Sequence, residues 1–244
     1  MGSDLRIEDI DVDGAVRDSA ERTSFQLERD GDTRGGFLKK AGLAGGAVVG
    51  GGAILGGLVP GTALGADGAD RPPKSFGKGD IGILNYALTL EYLEAEFYKE
   101  AKRNDDEGGG FITDKDTREF LEATVRDEKA HVKALKDVLG NKAAKKPNFD
   151  FRGTTSDQEK FQRTSFKLEN AGVSAYLGQA YNIESKAVGK AALSIVTIEG
   201  RHAGLIGQIL RGVDGIAPNG PFDQPLGAKR ILRRVKKTGF IQNG

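Results

Sequence analysis

Two four-residue stretches, Glu128-Lys129-Ala130-His131 and Glu199-Gly200-Arg201-His202, decide how this 244-residue chain folds. The chain contains only 2 histidines, and each of them lies three residues after a glutamate. Residues three apart on an α-helix lie on the same face, so each stretch directs one carboxylate and one imidazole to the same side. A single Glu-x-x-His pair is weak evidence for a metal site. Two pairs that include every histidine are strong evidence, and they predict two helices that carry metal ligands.

Four long helical segments are indicated by apolar periodicity and by the residues that interrupt it. In chain order these are helix A at about 80–103, helix B at about 113–139, helix C at about 156–182 and helix D at about 185–212. Helix C opens on Ser156-Asp157-Gln158-Glu159, which predicts a capping box. No strand alternation is evident between the helices. The two Glu-x-x-His pairs therefore fall on the second and fourth helices.

The lengths of the connections select the topology. Short connections join A to B and C to D, which makes each pair antiparallel. About 16 residues around Pro147 join B to C, and extended they span up to ~50 Å. A helix of about 25 residues is only ~38 Å long, so this connection can run the length of the bundle. The predicted fold is all-α, a four-helix bundle with one long B–C crossover.

Helices A and C are each expected to supply a further carboxylate. Glu91 closes the largely apolar stretch 84–90 of helix A, and Glu169 is the most central glutamate of helix C. Tyr98 follows Glu91 by seven residues, as Tyr176 follows Glu169, so each tyrosine lies on the ligand face two turns away. The distances of the four glutamates from the helix ends place them within about one turn of the same level. The predicted metal ligands form a pseudo-two-fold set: Glu91, Glu128, His131, Glu169, Glu199 and His202.

These helices resemble the ferritin-like superfamily, in particular rubrerythrin-type domains and the exported bacterial ferritin-like proteins called desiccation-associated. The resemblance covers about residues 80–212 and is carried by residues 84–98, 127–131, 168–176 and 198–202. It implies that Glu128 and Glu199 bridge two metal ions. It also implies that the other four residues are terminal ligands. Rubrerythrins add a cysteine-ligated iron domain, but this chain has no cysteine. A peroxidase of that type would therefore need an external reductant.

Three functions remain open from the sequence, and whether the protein is an enzyme is one of the questions. The first is a di-iron oxidoreductase that handles iron, dioxygen or peroxide in oxidative or desiccation stress. The second is a dimanganese, catalase-like site, which would need no reductant. The third is a non-catalytic ferritin-like module in which the metal only stabilises the bundle. Two iron ions are the expected cofactor, with two manganese ions as the alternative, because carboxylates with one imidazole per metal suit both.

Composition excludes several other kinds of site. Without cysteine the chain cannot form disulfides, thiolate zinc sites or cysteine-ligated iron–sulfur clusters. The 36 basic and 35 acidic residues nearly balance, so no nucleic-acid partner is expected. The basic stretch 229–237 is interpreted as a solvated C-terminal helix. The oligomeric state stays open, with a dimer among the possibilities.

The N-terminal third has the pattern of an exported protein. A basic flank, a Gly/Ala-rich apolar run and small residues near Ala66 are typical of an export signal. Arg34 and the Phe-Leu-Lys that follows at 37–39 resemble a twin-arginine signal, but Gly35 replaces the second arginine. The alternatives are a retained membrane anchor and a cytosolic tail. The signal and the anchor both predict a periplasmic or extracellular protein. The predicted organisation is an acidic disordered arm at 1–34, the signal-like segment at 35–66, a linker at 67–79, the bundle at 80–212 and a C-terminal tail at 213–244.

Four other acidic residues lie close to the predicted ligands in the sequence. Glu94, Glu96 and Glu100 are expected on the solvated face of helix A, although Glu94 lies three residues after Glu91 and is a spare ligand candidate. Asp127 is either a surface charge or a hydrogen-bond partner that orients an imidazole.

Overall fold

The computed structural model describes residues 70–242, and these form a helical bundle with five α-helices. The predicted all-α fold is confirmed. The helices are α1 (Gly79–Glu107), α2 (Lys115–Leu139), α3 (Gln158–Gln179), α4 (Lys186–Arg211) and α5 (Ala228–Thr238). Helices α1 to α4 correspond to the predicted helices A to D. The acidic arm, the export-signal-like segment and the first three linker residues lie outside the described residues.

Side-chain caps begin three of the helices. Asp114 Oδ1 accepts from the Thr117 amide at 2.7 Å before α2, and the Ser185 hydroxyl accepts from the Val188 amide before α4. The predicted capping box at Ser156 is wrong by one residue. Asp157 Oδ1 accepts from the Lys160 amide at 2.8 Å, whereas Ser156 Oγ donates to the Gly153 carbonyl. A carboxylate is as good an acceptor at this position as a hydroxyl, so the start of α3 does not need the serine.

The long crossover between α2 and α3 follows α1. At one end, the Asn85 amide nitrogen donates to the Lys142 carbonyl at 3.0 Å, and its oxygen accepts from the Ala144 amide at 2.8 Å. At the other end, Asn104 donates to the Thr155 carbonyl at 3.0 Å. The two asparagines are about 28 Å apart along α1, so the crossover spans most of the bundle as predicted.

Two short strands differ from the expectation of no strands. β1 (Asn148–Phe149) lies in the crossover and pairs antiparallel with β2 (Ile241–Gln242) near the C-terminus. Each has two residues, which is too short for any alternation to be visible in the sequence. Their pairing ties the crossover to the C-terminal segment.

The basic stretch 229–237 lies in the helix α5, as expected, but one face of this helix is buried rather than solvated. Ala228, Ile231 and Val235 on α5 are buried, whereas the basic residues between them are exposed. Their spacing places these three apolar side chains on one helical face, which packs against α3. The linker is held here as well, because the Asp70 carbonyl accepts from the Gln179 side chain at 2.9 Å and from the Ala228 amide. Within residues 70–242, none of the helices is long and apolar enough to cross a membrane.

Candidate metal centre

The four long helices bring all six predicted ligand residues into one layer of the bundle. Their side chains form two overlapping groups of candidate ligands, and within each group the donor atoms lie within 4.8 Å of one another. One group consists of Glu91, Glu128, Glu199 and His131, and the other of Glu169, Glu128, Glu199 and His202. Glu128 and Glu199 belong to both groups.

Each imidazole faces the carboxylates through Nδ1. His131 Nδ1 lies 3.2 Å from Glu91 Oε2, from Glu128 Oε2 and from Glu199 Oε1. His202 Nδ1 lies 3.1 Å from Glu128 Oε1 and 3.4 Å from Glu169 Oε2. Each half of the layer therefore has one imidazole, one carboxylate of its own and access to the two shared carboxylates.

The layer is buried, and its inward-facing atoms are poorly satisfied. The side chains of Glu128, Glu169 and Glu199 have no exposed surface, and Glu91 is 1% exposed. Within residues 70–242, six buried polar atoms of the candidate ligands have no hydrogen-bond partner, although some of them lie at ion-pair distance from an opposite charge. They are Glu91 Oε2, Glu128 Oε1, Glu169 Oε2, Glu199 Oε1, Glu199 Oε2 and His202 Nδ1. Buried polar atoms without partners are rare in proteins because each costs free energy. Cations between them would satisfy the whole set.

Two tyrosines orient the unshared carboxylates across the bundle. Tyr176 on α3 donates a hydrogen bond of 2.5 Å to Glu91 Oε1 on α1. Tyr98 on α1 donates a short hydrogen bond to Glu169 Oε1 on α3. In each carboxylate Oε1 is held by the tyrosine, so Oε2 is left to face the histidine. The spacing of seven residues had placed both tyrosines on the ligand face, and the structure adds that each of them serves the opposite helix.

A sequence model described as "Ferritin-like domain" matches residues 79–212, which is more than half of the chain. The chain belongs to the ferritin-like domain family. The predicted resemblance over about residues 80–212 is thereby confirmed. No curated protein matches the chain.

Burial and crowding of charge control protonation in the ferritin-like domain. Burial raises the pKa of Glu199 well above its ordinary value, and neighbouring carboxylates raise it further. The same causes raise the pKa of Glu128 to about 7. Burial alone would lower the pKa of both imidazoles, but the carboxylates that face them raise the pKa of His131 strongly and that of His202 to about 11. Without cations, the layer therefore holds protons, which metal binding would displace.

Asp127 makes the orienting contact that was one of its two predicted alternatives. Its Oδ2 lies 3.3 Å from His202 Nε2, on the ring edge away from the carboxylates. Arg126 donates to Asp127 Oδ1 at 2.8 Å and holds the carboxylate in place. A carboxylate at this position fixes the orientation and tautomer of an imidazole ligand.

Glu94 was expected on the solvated face, and this is wrong. It is 3% exposed, one turn from Glu91 on the ligand face. Burial raises its pKa well above the ordinary value, and the nearby charges of Glu199 and Glu169 raise it further. It belongs to neither group of candidate ligands. The signal that could have found it was its position three residues after Glu91.

Gly172 provides the space for these acids. A Cβ atom at this position would lie 2.5 Å from Glu199 Oε2 and 3.4 Å from Glu94 Oε1. Gly172 follows Glu169 by three residues, as Glu94 follows Glu91. At equivalent positions, α1 thus carries the extra carboxyl group of Glu94, whereas α3 carries a glycine without a side chain.

Proposed function

We propose that the ferritin-like domain binds two metal ions, iron in the first instance, as a carboxylate-bridged pair. The single observation that carries the proposal is the sharing of Glu128 and Glu199 by two groups of donors whose inward atoms lack hydrogen bonds. Each metal would take one imidazole, one unshared carboxylate and the two shared ones. Four carboxylates balance the charge of two divalent ions.

The chemistry of the donors favours iron or manganese. All the candidate donors are carboxylate oxygens and imidazole nitrogens, with no sulfur, and this combination suits both metals. When bound, such a pair supplies Lewis acidity and electron exchange with dioxygen or peroxide. We therefore propose an oxidoreductase that handles iron, dioxygen or peroxide under stress. A peroxidase reaction would use an external reductant, since the chain has no cysteine to hold an iron–sulfur relay.

The protein residues would then divide the remaining work. Tyr98 and Tyr176 would hold the unshared carboxylates in position through their hydrogen bonds. Asp127 would orient His202. Glu94, a buried acid beside Glu199 with a raised pKa, would keep a proton at the edge of the site at neutral pH. The surrounding apolar side chains would exclude bulk water.

The test of metal binding is the metal content of the purified full chain, measured together with variants. Glu128→Ala and His202→Ala should lower bound metal from about two ions per chain toward one or none. Glu119→Ala is a matched control, because this glutamate lies on the same helix as Glu128 and is 66% exposed. If both site variants keep the full metal content of the wild type, the assignment is wrong.

Reaction with hydrogen peroxide separates the two catalytic functions. An iron protein of the proposed kind should consume peroxide only with an added reductant. Peroxide disproportionation by the manganese-loaded protein without a reductant would favour the catalase-like function, which agrees with the lack of cysteine. Metal binding without either reaction would favour the structural module.

We also propose that the protein is exported, on the basis of the N-terminal sequence pattern alone. The mature chain should begin near Ala66, and N-terminal sequencing of the protein from its native compartment would establish this. Gly35→Arg should increase export if the twin-arginine route is used. Finding intact chain from Met1 in the soluble cytoplasm would contradict the proposal.

A further inference from the structure

A cavity of about 140 Å³ lies inside the bundle at the end where α1 and α4 begin and α2 and α3 end. Small and aliphatic side chains from all four helices line it, among them Ile83, Ala175, Ala191 and Ile195. Its wall exposes almost no polar surface. The mouth lies between the last turn of α2 and the first turn of α4, where the lining residues Val138 and Ala187 are exposed.

The cavity is adjacent to the carboxylate layer. Its lining residues Ala87, Leu135 and Ile195 are each four residues from a candidate ligand, so they lie on the ligand face one turn away. Tyr176 forms part of the wall, and its hydroxyl is hydrogen-bonded to Glu91. A molecule in the cavity would therefore contact the side chain that orients one of the candidate ligands.

The pseudo-two-fold relation of the helices explains why the cavity exists. On the other side of the layer, called here the aromatic side, three phenylalanines surround Tyr98: Phe97, Phe120 and Phe161. All three have no exposed surface, and their ring centroids lie 5.2 to 6.0 Å from that of Tyr98.

Equivalent positions on the Tyr176 side, called here the cavity side, carry smaller residues. The sequence separation that relates Glu91 to Glu169 also relates Phe97 to Ala175 and Ile83 to Phe161. The separation that relates Glu128 to Glu199 relates Phe120 to Ala191. All three smaller residues line the cavity. The cavity thus occupies the space that aromatic rings fill on the aromatic side.

We propose that this cavity is a binding site for a small, uncharged apolar molecule, about the size of a benzene ring or a short branched hydrocarbon. Apolar cavities of about 150 Å³ stay dry and accept benzene or xenon. A charged molecule would lose its hydration and find no opposite charge in the wall, which exposes almost no polar surface although Tyr86, Tyr176 and Gln179 line part of it. The proposal does not depend on metal binding, since none of the candidate ligands lines the cavity.

The proposal is tested by measuring the binding of benzene to the full chain, with calorimetry and the melting temperature as the two readouts. Wild type should bind benzene saturably and melt at a higher temperature in its presence. Ala191→Phe, which introduces the ring found at the equivalent position of the aromatic side, should weaken binding by at least about tenfold. Ala217→Phe is the matched control, because it adds the same ring at an exposed position.

A second variant keeps the test decisive if Ala191→Phe does not fold. Ala192 also lines the cavity, and its counterpart on the aromatic side is Leu121, so Ala192→Leu should also weaken benzene binding. Metal content is measured on the same samples, so loss of metal and loss of benzene binding are distinguished. No saturable binding to wild type would overturn the proposal, as would equal binding by wild type and the folded variants.

Discussion

The aromatic side and the cavity side of the bundle carry matching ligands but different packing. Each side has one tyrosine that hydrogen-bonds a carboxylate on the opposite helix. Around Tyr98 the space is filled by phenylalanine rings, whereas around Tyr176 the same positions leave a cavity. Two similar metal positions require similar donors, but nothing in ligation requires the core beyond them to be symmetric.

The difference extends to the groups that surround the two histidines. Asp127 lies against His202, whereas Ile198 occupies the equivalent position one residue before Glu199 on α4. Glu94 is matched by Gly172. The two halves are therefore equal in their candidate ligands and unequal in what supports them. If both halves bind metal, the two ions would have the same kinds of ligand but different supporting groups.

The largest expected effect concerns the packing of the two sides. Phe161→Ala on the aromatic side should lower the free energy of unfolding by about 3–5 kcal/mol, because it opens a cavity among three buried aromatic rings and the half-buried ring of Phe111. The equivalent change on the cavity side, Ile83→Ala, should cost about 2 kcal/mol, since space already exists beside this side chain. Denaturant unfolding of the chelator-treated proteins measures both. Equal losses would show that the two sides are packed alike.

Removal of metal should destabilise the aromatic side and the cavity side by similar amounts. Binding to the folded state alone stabilises it by about 2.7 kcal/mol per site when free metal is 100 times the dissociation constant. Chelation should therefore lower the melting temperature clearly. The double variant Glu91→Gln, Glu169→Gln should respond less to metal than wild type, because it removes the unshared carboxylate of each group of candidate ligands.

The corresponding single variants test the symmetry of the ligand layer. Glu91→Gln and Glu169→Gln should lose similar parts of the stabilisation by iron or manganese, as melting curves with and without metal would record. A large difference between them would mean that only one half binds metal. A wild type that melts at the same temperature in chelator and in excess metal would contradict metal binding altogether.

The sequence was sufficient for the four long helices, the crossover and the gathering of six side chains. Helical periodicity reports which residues share a face, and the rarity of histidine made the two Glu-x-x-His pairs stand out. Metal ligation by these residues stays a prediction, since their proximity does not identify an ion.

What the sequence missed depends on packing rather than on periodicity. Ala175 and Ala191 fit the apolar pattern of a helix whether or not a partner fills the space beside them, so the cavity was not visible. Glu94 was expected on the solvated face of helix A, because periodicity alone does not show that this face packs against the neighbouring helices. The buried face of α5 was overlooked because the basic residues between Ala228 and Val235 dominate that stretch.

Asp127→Ala should reveal the difference between the two histidines. Loss of a carboxylate that orients an imidazole ligand typically lowers metal affinity by about 10 to 100-fold. We expect this loss for one metal ion only, so that a metal titration changes from two similar steps to two separated ones. Ile198→Ala, at the equivalent position beside Glu199, should leave the titration as in wild type. A titration unchanged by Asp127→Ala would show that the contact with His202 does not support metal binding.

The smallest expected effect is that of Glu94→Gln. Glu94 lies outside both groups of candidate ligands, and Glu91, one turn away, lies inside one. Burial, with the charges of Glu199 and Glu169, raises the pKa of Glu94 well above its ordinary value and so favours the protonated acid. Glutamine mimics this acid with a neutral amide of nearly the same shape. The free energy of unfolding of the metal-free protein should change by less than about 1 kcal/mol.

The metal content of Glu94→Gln should stay at the wild-type level, whereas Glu91→Gln should reduce it. Metal analysis of the two variants side by side distinguishes an acid that holds a proton from one that binds metal. A loss of metal in Glu94→Gln equal to that in Glu91→Gln would make Glu94 a seventh ligand, and the two halves of the layer would then differ in their ligands as well as in their packing.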